Sequence, residues 1–138
     1  MFENTRIDLK IKVAALWLTI YLLFIYGDLF SMWIPTRLND LLNGNMSAGP
    51  TTPAKLMGVS IFITIYAIMP LMNLILIPKI SRILNIIIAI LFIVVWLFIL
   101  TQFSFTAMWN FYIYLAVCEI VLALVIIYLS WNWPKMKK

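Results

Sequence analysis

The stretch ILNIIIAILFIVVWLFILTQFSFTAMWNFYIYLAVC, from Ile83 to Cys118, holds 36 residues without one Asp, Glu, Lys or Arg. A bilayer hydrocarbon core of about 30 Å takes about 20 helical residues at 1.5 Å each. The run is too long for one ordinary crossing and too short for two. Glu119 interrupts it, and apolar sequence then resumes as far as Trp133. Two crossings resolve the length, at about 83–100 and 111–131. The turn between them lies in 101–110, where Thr101, Gln102, Ser104, Thr106 and Asn110 cluster. Strands do not compete. Membrane strands alternate polar and apolar residues over about ten positions, whereas Ile86-Ile87-Ile88-Ala89-Ile90-Leu91-Phe92-Ile93 is apolar on every side. Backbone groups in lipid must bond within their own segment, which a helix alone achieves for such a run.

Upstream, the same reading gives two more crossings. Residues 13–34 are interrupted only by Asp28 and are followed by Pro35. Residues 56–77 carry no charge; Thr52 suits the N-cap, Pro53 the first helical position, and Pro78 closes the segment. The expected fold is all-α: an integral membrane four-helix bundle forming a single domain over residues 1–138. Composition agrees. The 138 residues are 65% hydrophobic and 11% charged, with a mean hydropathy of +1.07. Soluble domains have about 45–50% apolar and about 25% charged residues.

Lys and Arg set the expected orientation. Arg6, Lys10, Lys12, Lys79, Arg82, Lys135, Lys137 and Lys138 fall on one side, against Arg37 and Lys55 on the other. Such a bias marks the cytoplasmic face, so both termini are expected there, the N-in/C-in arrangement. Trp33, Trp109, Trp131 and Trp133 fall at the expected interfaces. The N-terminal apolar segment exceeds a signal-peptide core and is expected to stay as the first crossing. The external loop, 35–55, contains Arg37-Leu38-Asn39-Asp40-Leu41-Leu42-Asn43-Gly44, which reads as a short interfacial helix with Gly44 at its end. A turn over 45–51 follows it, in which Asn45-Met46-Ser47 also fits a glycosylation pattern.

Several chemistries are excluded by residue type. The chain has no His and one Cys, Cys118. Imidazole-based nucleophile pairs, imidazole-bound haem, thiol pairs and iron–sulfur clusters all need what is missing. No cofactor or metal is expected, nor an enzyme. The +5 net charge sits at span ends and is not a nucleic-acid footprint. The expected partner is the lipid bilayer, together with further copies of the chain or an unidentified membrane protein.

Trp17, Tyr21, Gly27-Asp28, the Pro-containing first loop, Cys118-Glu119 and the closing Trp131-Asn132-Trp133-Pro134-Lys135 form a pattern over nearly the whole chain. That pattern resembles a bacterial "domain of unknown function" family of small four-span inner-membrane proteins. The resemblance implies four helices and a bacterial plasma membrane. It supplies no activity.

Two acids lie within the spans, Asp28 and Glu119. A charge at the centre of a membrane helix costs about 2.5–3.5 kcal/mol on insertion scales, so such residues need a reason. Trp17, Tyr21, Phe24 and Asp28 recur at helical spacing, as do Tyr112, Ala116, Glu119 and Ala123. Both acids are therefore expected to face inward, with Tyr21 and Tyr112 as hydrogen-bond donors. The first and last crossings are neighbours in a closed bundle, which would bring the two carboxyls face to face. The functional reading is a proton- or cation-binding site of a transporter or channel component. The structural reading is a helix–helix tie at Glu119, with Asp28 turned to the interface or to Arg37. Asn73 and Asn85 flank the second hairpin and read as an interhelical amide pair. Pro70 is expected to kink its span, and Cys118 to pack as a small hydrophobe. The competing function is a non-catalytic accessory, assembly or immunity-type membrane protein.

Overall fold

The computed structural model describes residues 7–46, 49–102 and 106–134. Ser47, Ser104 and the terminal cations Arg6, Lys135, Lys137 and Lys138 lie outside the described residues. The fold is all-α: α1 (Leu9–Ser31), α2 (Pro35–Leu42), α3 (Pro53–Ile75), α4 (Pro78–Gln102) and α5 (Asn110–Trp131). A single 3₁₀ turn, Ala107–Trp109, precedes α5. Four helices are long and apolar enough to cross a membrane. At 1.5 Å per residue, the 23 residues of α1 span about 35 Å, whereas the eight of α2 reach only about 12 Å.

Local chemistry sets the boundaries. The Asp8 carboxylate accepts the Lys10 N–H at 2.7 Å and caps α1 four residues before the uncharged stretch begins. At its other end α1 stops at Ser31, whose hydroxyl donates to the Asp28 carbonyl at 2.7 Å. The next three N–H groups close a turn, and Ile34 becomes the N-cap of α2. Thr52 accepts the Lys55 N–H and Pro53 opens α3. The basic hairpin Pro78–Arg82 is helical, not a loop. Only Leu76 and Ile77 separate α3 from α4, and the Ile77 carbonyl accepts from both Ile80 and Ser81. Proline at a first helical position has the right φ and loses no hydrogen bond there, so the reversal takes two residues.

Between α2 and α3, Asn45–Met46 pairs antiparallel with Gly49–Pro50. Gly44, at φ +71°, follows α2 and donates its N–H to the Leu41 carbonyl. That left-handed position suits glycine.

The long helices form a ring in which α1 packs between α3 and α5, and α5 between α1 and α4; the α3–α4 seam is the slightest of the four. The buried faces follow three-and-four spacing: Val13, Trp17, Ile20, Gly27 and Ser31 on α1; Ser81, Asn85, Ala89, Phe92 and Trp96 on α4; Ala116, Glu119, Ala123, Ile126 and Ser130 on α5. Outside, Ile87, Val94, Phe98 and Val117 are exposed, as an apolar solvent would require.

Gly27 marks a close approach. A Cβ there would stand 3.5 Å from Leu115 Cδ1 and 3.6 Å from Tyr112 Cε2, which is ordinary contact. Gly27→Ala should therefore leave stability within about 1 kcal/mol, whereas Gly27→Leu overpacks the α1–α5 seam and should cost about 1–3 kcal/mol. Denaturant-induced unfolding in mixed micelles separates the two.

Candidate functional site

Glu119 sits well inside α5. It is nine residues from Asn110 and twelve from Trp131, about 14 Å and about 18 Å along the axis. Its side chain is 1% exposed. The Trp96 indole N–H, from α4, donates to Oε2 at 3.0 Å. Ala116 and Ala123, one turn to either side, are fully buried and let the neighbouring helices close on the carboxyl. No ion pair to Glu119 exists among the described residues. The Trp96 ring is itself held in edge-to-face contacts with Phe24 at 6.3 Å, Phe92 at 6.4 Å and Tyr112 at 5.4 Å.

Asp28 occupies a different setting. It lies three residues from the end of α1 and is half-buried. Tyr112 Oη donates to its Oδ1 at 3.3 Å, and Arg37 at the start of α2 acts on it electrostatically. Asp28 and Glu119 act on one another electrostatically, and no hydrogen bond joins the two carboxyls among the described residues. Each acid has its own aromatic donor, and the two donor rings, Trp96 and Tyr112, are in contact.

Tyr21 also departs from expectation. Among the described residues it bonds to neither acid; it lines a small apolar pocket with Ile20, Phe24, Ile63, Tyr66 and Phe92. The reason is helical phase. The buried stripe of α1 runs through Trp17, Ile20 and Gly27, so Tyr21 and Asp28, seven residues apart, share its flank.

Asn73 and Asn85 form the centre of a second buried cluster, near the start of α4. Asn85 Nδ2 donates to Asn73 Oδ1 at 2.6 Å, and Asn73 Nδ2 returns a bond to Asn85 Oδ1 at 3.0 Å. The Trp17 indole N–H joins Asn85 Oδ1 at 2.8 Å, and the Ser81 hydroxyl joins Asn73 Oδ1 at 2.7 Å. Asn73 also donates to the Met69 carbonyl at 2.9 Å. Three helices are tied by uncharged groups, all at most 2% exposed. This is a structural lock.

Sequence reasoning missed Trp96, Ser81 and the donor role of Trp17. A signal for Trp96 exists. Tryptophan favours membrane interfaces, where its N–H finds water, yet Trp96 lies six residues inside α4. Asn85, Ala89, Phe92 and Trp96 also share one helical stripe. A tryptophan in mid-span needs an acceptor, and Glu119 is the acceptor.

Chemically, the Glu119 site offers one carboxyl, one fixed N–H donor and an apolar, aromatic wall. It can hold a proton or a small cation. Among the described residues no three His, Cys, Asp or Glu side chains gather as a metal site would require.

Searches of the curated proteins and of the solved structures find no match. The model described as "Family of unknown function (DUF6326)" matches residues 2–138. The chain, with its four long apolar helices, thus belongs to the family of unknown function DUF6326.

Proposed function

We propose that the chain is a multi-pass protein of the bacterial plasma membrane, both termini cytoplasmic, that takes up and releases a proton at Glu119 as a proton- or cation-coupled transporter or channel component. The carrying observation is the fully buried Glu119 with a single tryptophan donor and no cationic partner among the described residues. A fixed negative charge there is expensive, and a carboxyl that serves only as a tie is replaceable by an amide. Asp28, at the α1 end and in contact with Tyr112, is the candidate second station. The eight-to-two bias of Lys and Arg supports the orientation. The core is filled by Trp17, Ile20, Phe92, Trp96 and Ile126, so a proton would reach Glu119 by relay between side chains within the bundle, and a homo-oligomer is the proposed assembly. We propose no catalytic role; the chain has no His to serve as a general base.

The test is proton and monovalent-cation flux in liposomes under an imposed potential. The protein is expected to give flux above empty liposomes, and Glu119→Gln to lose it. Flux that Glu119→Gln leaves unchanged would contradict the proposal. A second reading, a non-catalytic accessory or assembly protein, draws on the Trp17–Asn73–Ser81–Asn85 lock, which builds a rigid scaffold without charge. It predicts no flux, and a fixed partner retained through purification from native membranes.

A further inference from the structure

A second candidate site lies at the bundle end where α4 begins and α5 finishes. Pro78, Lys79, Arg82 and Ile83 of α4 and Trp133 and Pro134 beyond α5 line an open cleft of about 240 Å³. We propose that this cleft binds the phosphate of an anionic phospholipid.

Three observations carry the assignment. The first is charge. Lys79 is exposed and its ammonium meets no partner among the described residues. The one described acid at this end is Asp8, which caps α1 through Lys10 N–H. Lys10 itself donates to the Leu76 carbonyl at 2.6 Å, where α3 gives way to α4. The second is preorganisation. Arg82 Nε donates to the Ser130 carbonyl at 3.1 Å, and the guanidinium lies 6.0 Å over the Trp131 ring. One of its five N–H donors is so used, and the planar fork is fixed in place for an oxyanion. The third is the surface below. Lys79, Ile83, Ile87, Ile90 and Val94 succeed one another at three-and-four spacing, and the four aliphatic residues are each 49–55% exposed. A headgroup seated on Lys79 and Arg82 thus has an apolar track along α4 for its acyl chain, with Trp133 at the rim. A free phosphate would use the cations and leave that track empty. A zwitterionic headgroup would bring a second cation to a cleft without a described carboxylate.

The test uses the full chain in vesicles of equal phosphatidylglycerol and phosphatidylcholine. After mild detergent extraction, native mass spectrometry measures the lipid retained per protein. Phosphatidylglycerol is expected in several-fold excess. A surface cation contributes about fivefold to anionic-lipid binding, so Lys79→Gln should lower that excess about fivefold, and Lys79→Gln with Arg82→Gln should abolish it. The Lys79 side chain makes no bond among the described residues, so its substitution should leave the fold intact. Lys12→Gln, an exposed cation at the same end outside the cleft, should retain the excess. Equal retention of both lipids overturns the proposal. So does an unaffected Lys79→Gln, an equal loss in Lys12→Gln (diffuse surface charge), or displacement by added inorganic phosphate (a free-anion site).

Discussion

Asn85→Ala is expected to destabilise the bundle by about 2–4 kcal/mol. Asn85 accepts from Trp17 and Asn73 and donates to Asn73, joining α1, α3 and α4 at one point. Interhelical hydrogen bonds in lipid average about 0.6 kcal/mol and reach about 1.7, and three are lost together. The Trp17 N–H is then stranded in a fully buried position, which adds to the cost. The two partners of Asn85 do not suffer equally. Asn73 keeps bonds to Met69 and Ser81, whereas Trp17 keeps none among the described residues. Trp17→Phe in the Asn85→Ala background should therefore cost less than in the native protein, with a coupling of about 1 kcal/mol or more. Denaturant unfolding in mixed micelles measures all four corners of the cycle. A loss below about 0.5 kcal/mol for Asn85→Ala would mean that the network does not hold the helices together.

The second large effect concerns Glu119 and Trp96, whose single mutants should behave unlike the pair. Trp96→Phe leaves the buried carboxyl without its indole donor and should destabilise by about 1–3 kcal/mol. It also loses part of the ring packing against Phe24, Phe92 and Tyr112, but that loss is common to both backgrounds and cancels in the cycle. Trp96→Phe with Glu119→Leu removes donor and acceptor together and should recover most of the loss, because apolar replacement of a whole buried polar pair is often neutral or favourable. The double variant is thus expected to be folded, as stable as the native chain to within about 1 kcal/mol, and without proton flux. That outcome would separate a carboxyl present for function from one present for stability. A double variant less stable than either single variant would assign the pair to the fold.

Much of the fold is legible in the sequence because a bilayer enforces one strong rule. Backbone polar groups must be satisfied within each crossing, so uncharged length maps onto helix number. The 36-residue run is the decisive case: it is too long for one helix, and the apolar sequence that resumes beyond Glu119 completes a second. Helix ends are less legible. Lys10 and Lys12 interrupt the hydropathy and hide the first turn of α1, which Asp8 caps regardless. Lys79 and Arg82 likewise make the first turn of α4 look like a loop. Side-chain direction is legible where small and large residues alternate on one stripe, as Ala116, Glu119 and Ala123 do. It is not where every flank is apolar. On α1 the buried stripe passes through Gly27, and a one-residue error in phase, about 100°, puts Tyr21 and Asp28 inside when they stand at the edge. Which donor serves which acceptor depends on the lateral order of helices, and Trp96 meets Glu119 only because α4 packs on α5.

Proton exchange at Glu119, inside the bundle, is the proposed activity. Infrared spectroscopy of the protein in lipid vesicles tests it most directly, as the difference between the native chain and Glu119→Gln. The expected result is a carboxyl carbonyl band that titrates with pH, shifts on transfer to D₂O, and is absent from Glu119→Gln. A carboxyl signal at Glu119 that neither titrates nor exchanges with D₂O would show a sealed group, and would contradict the account.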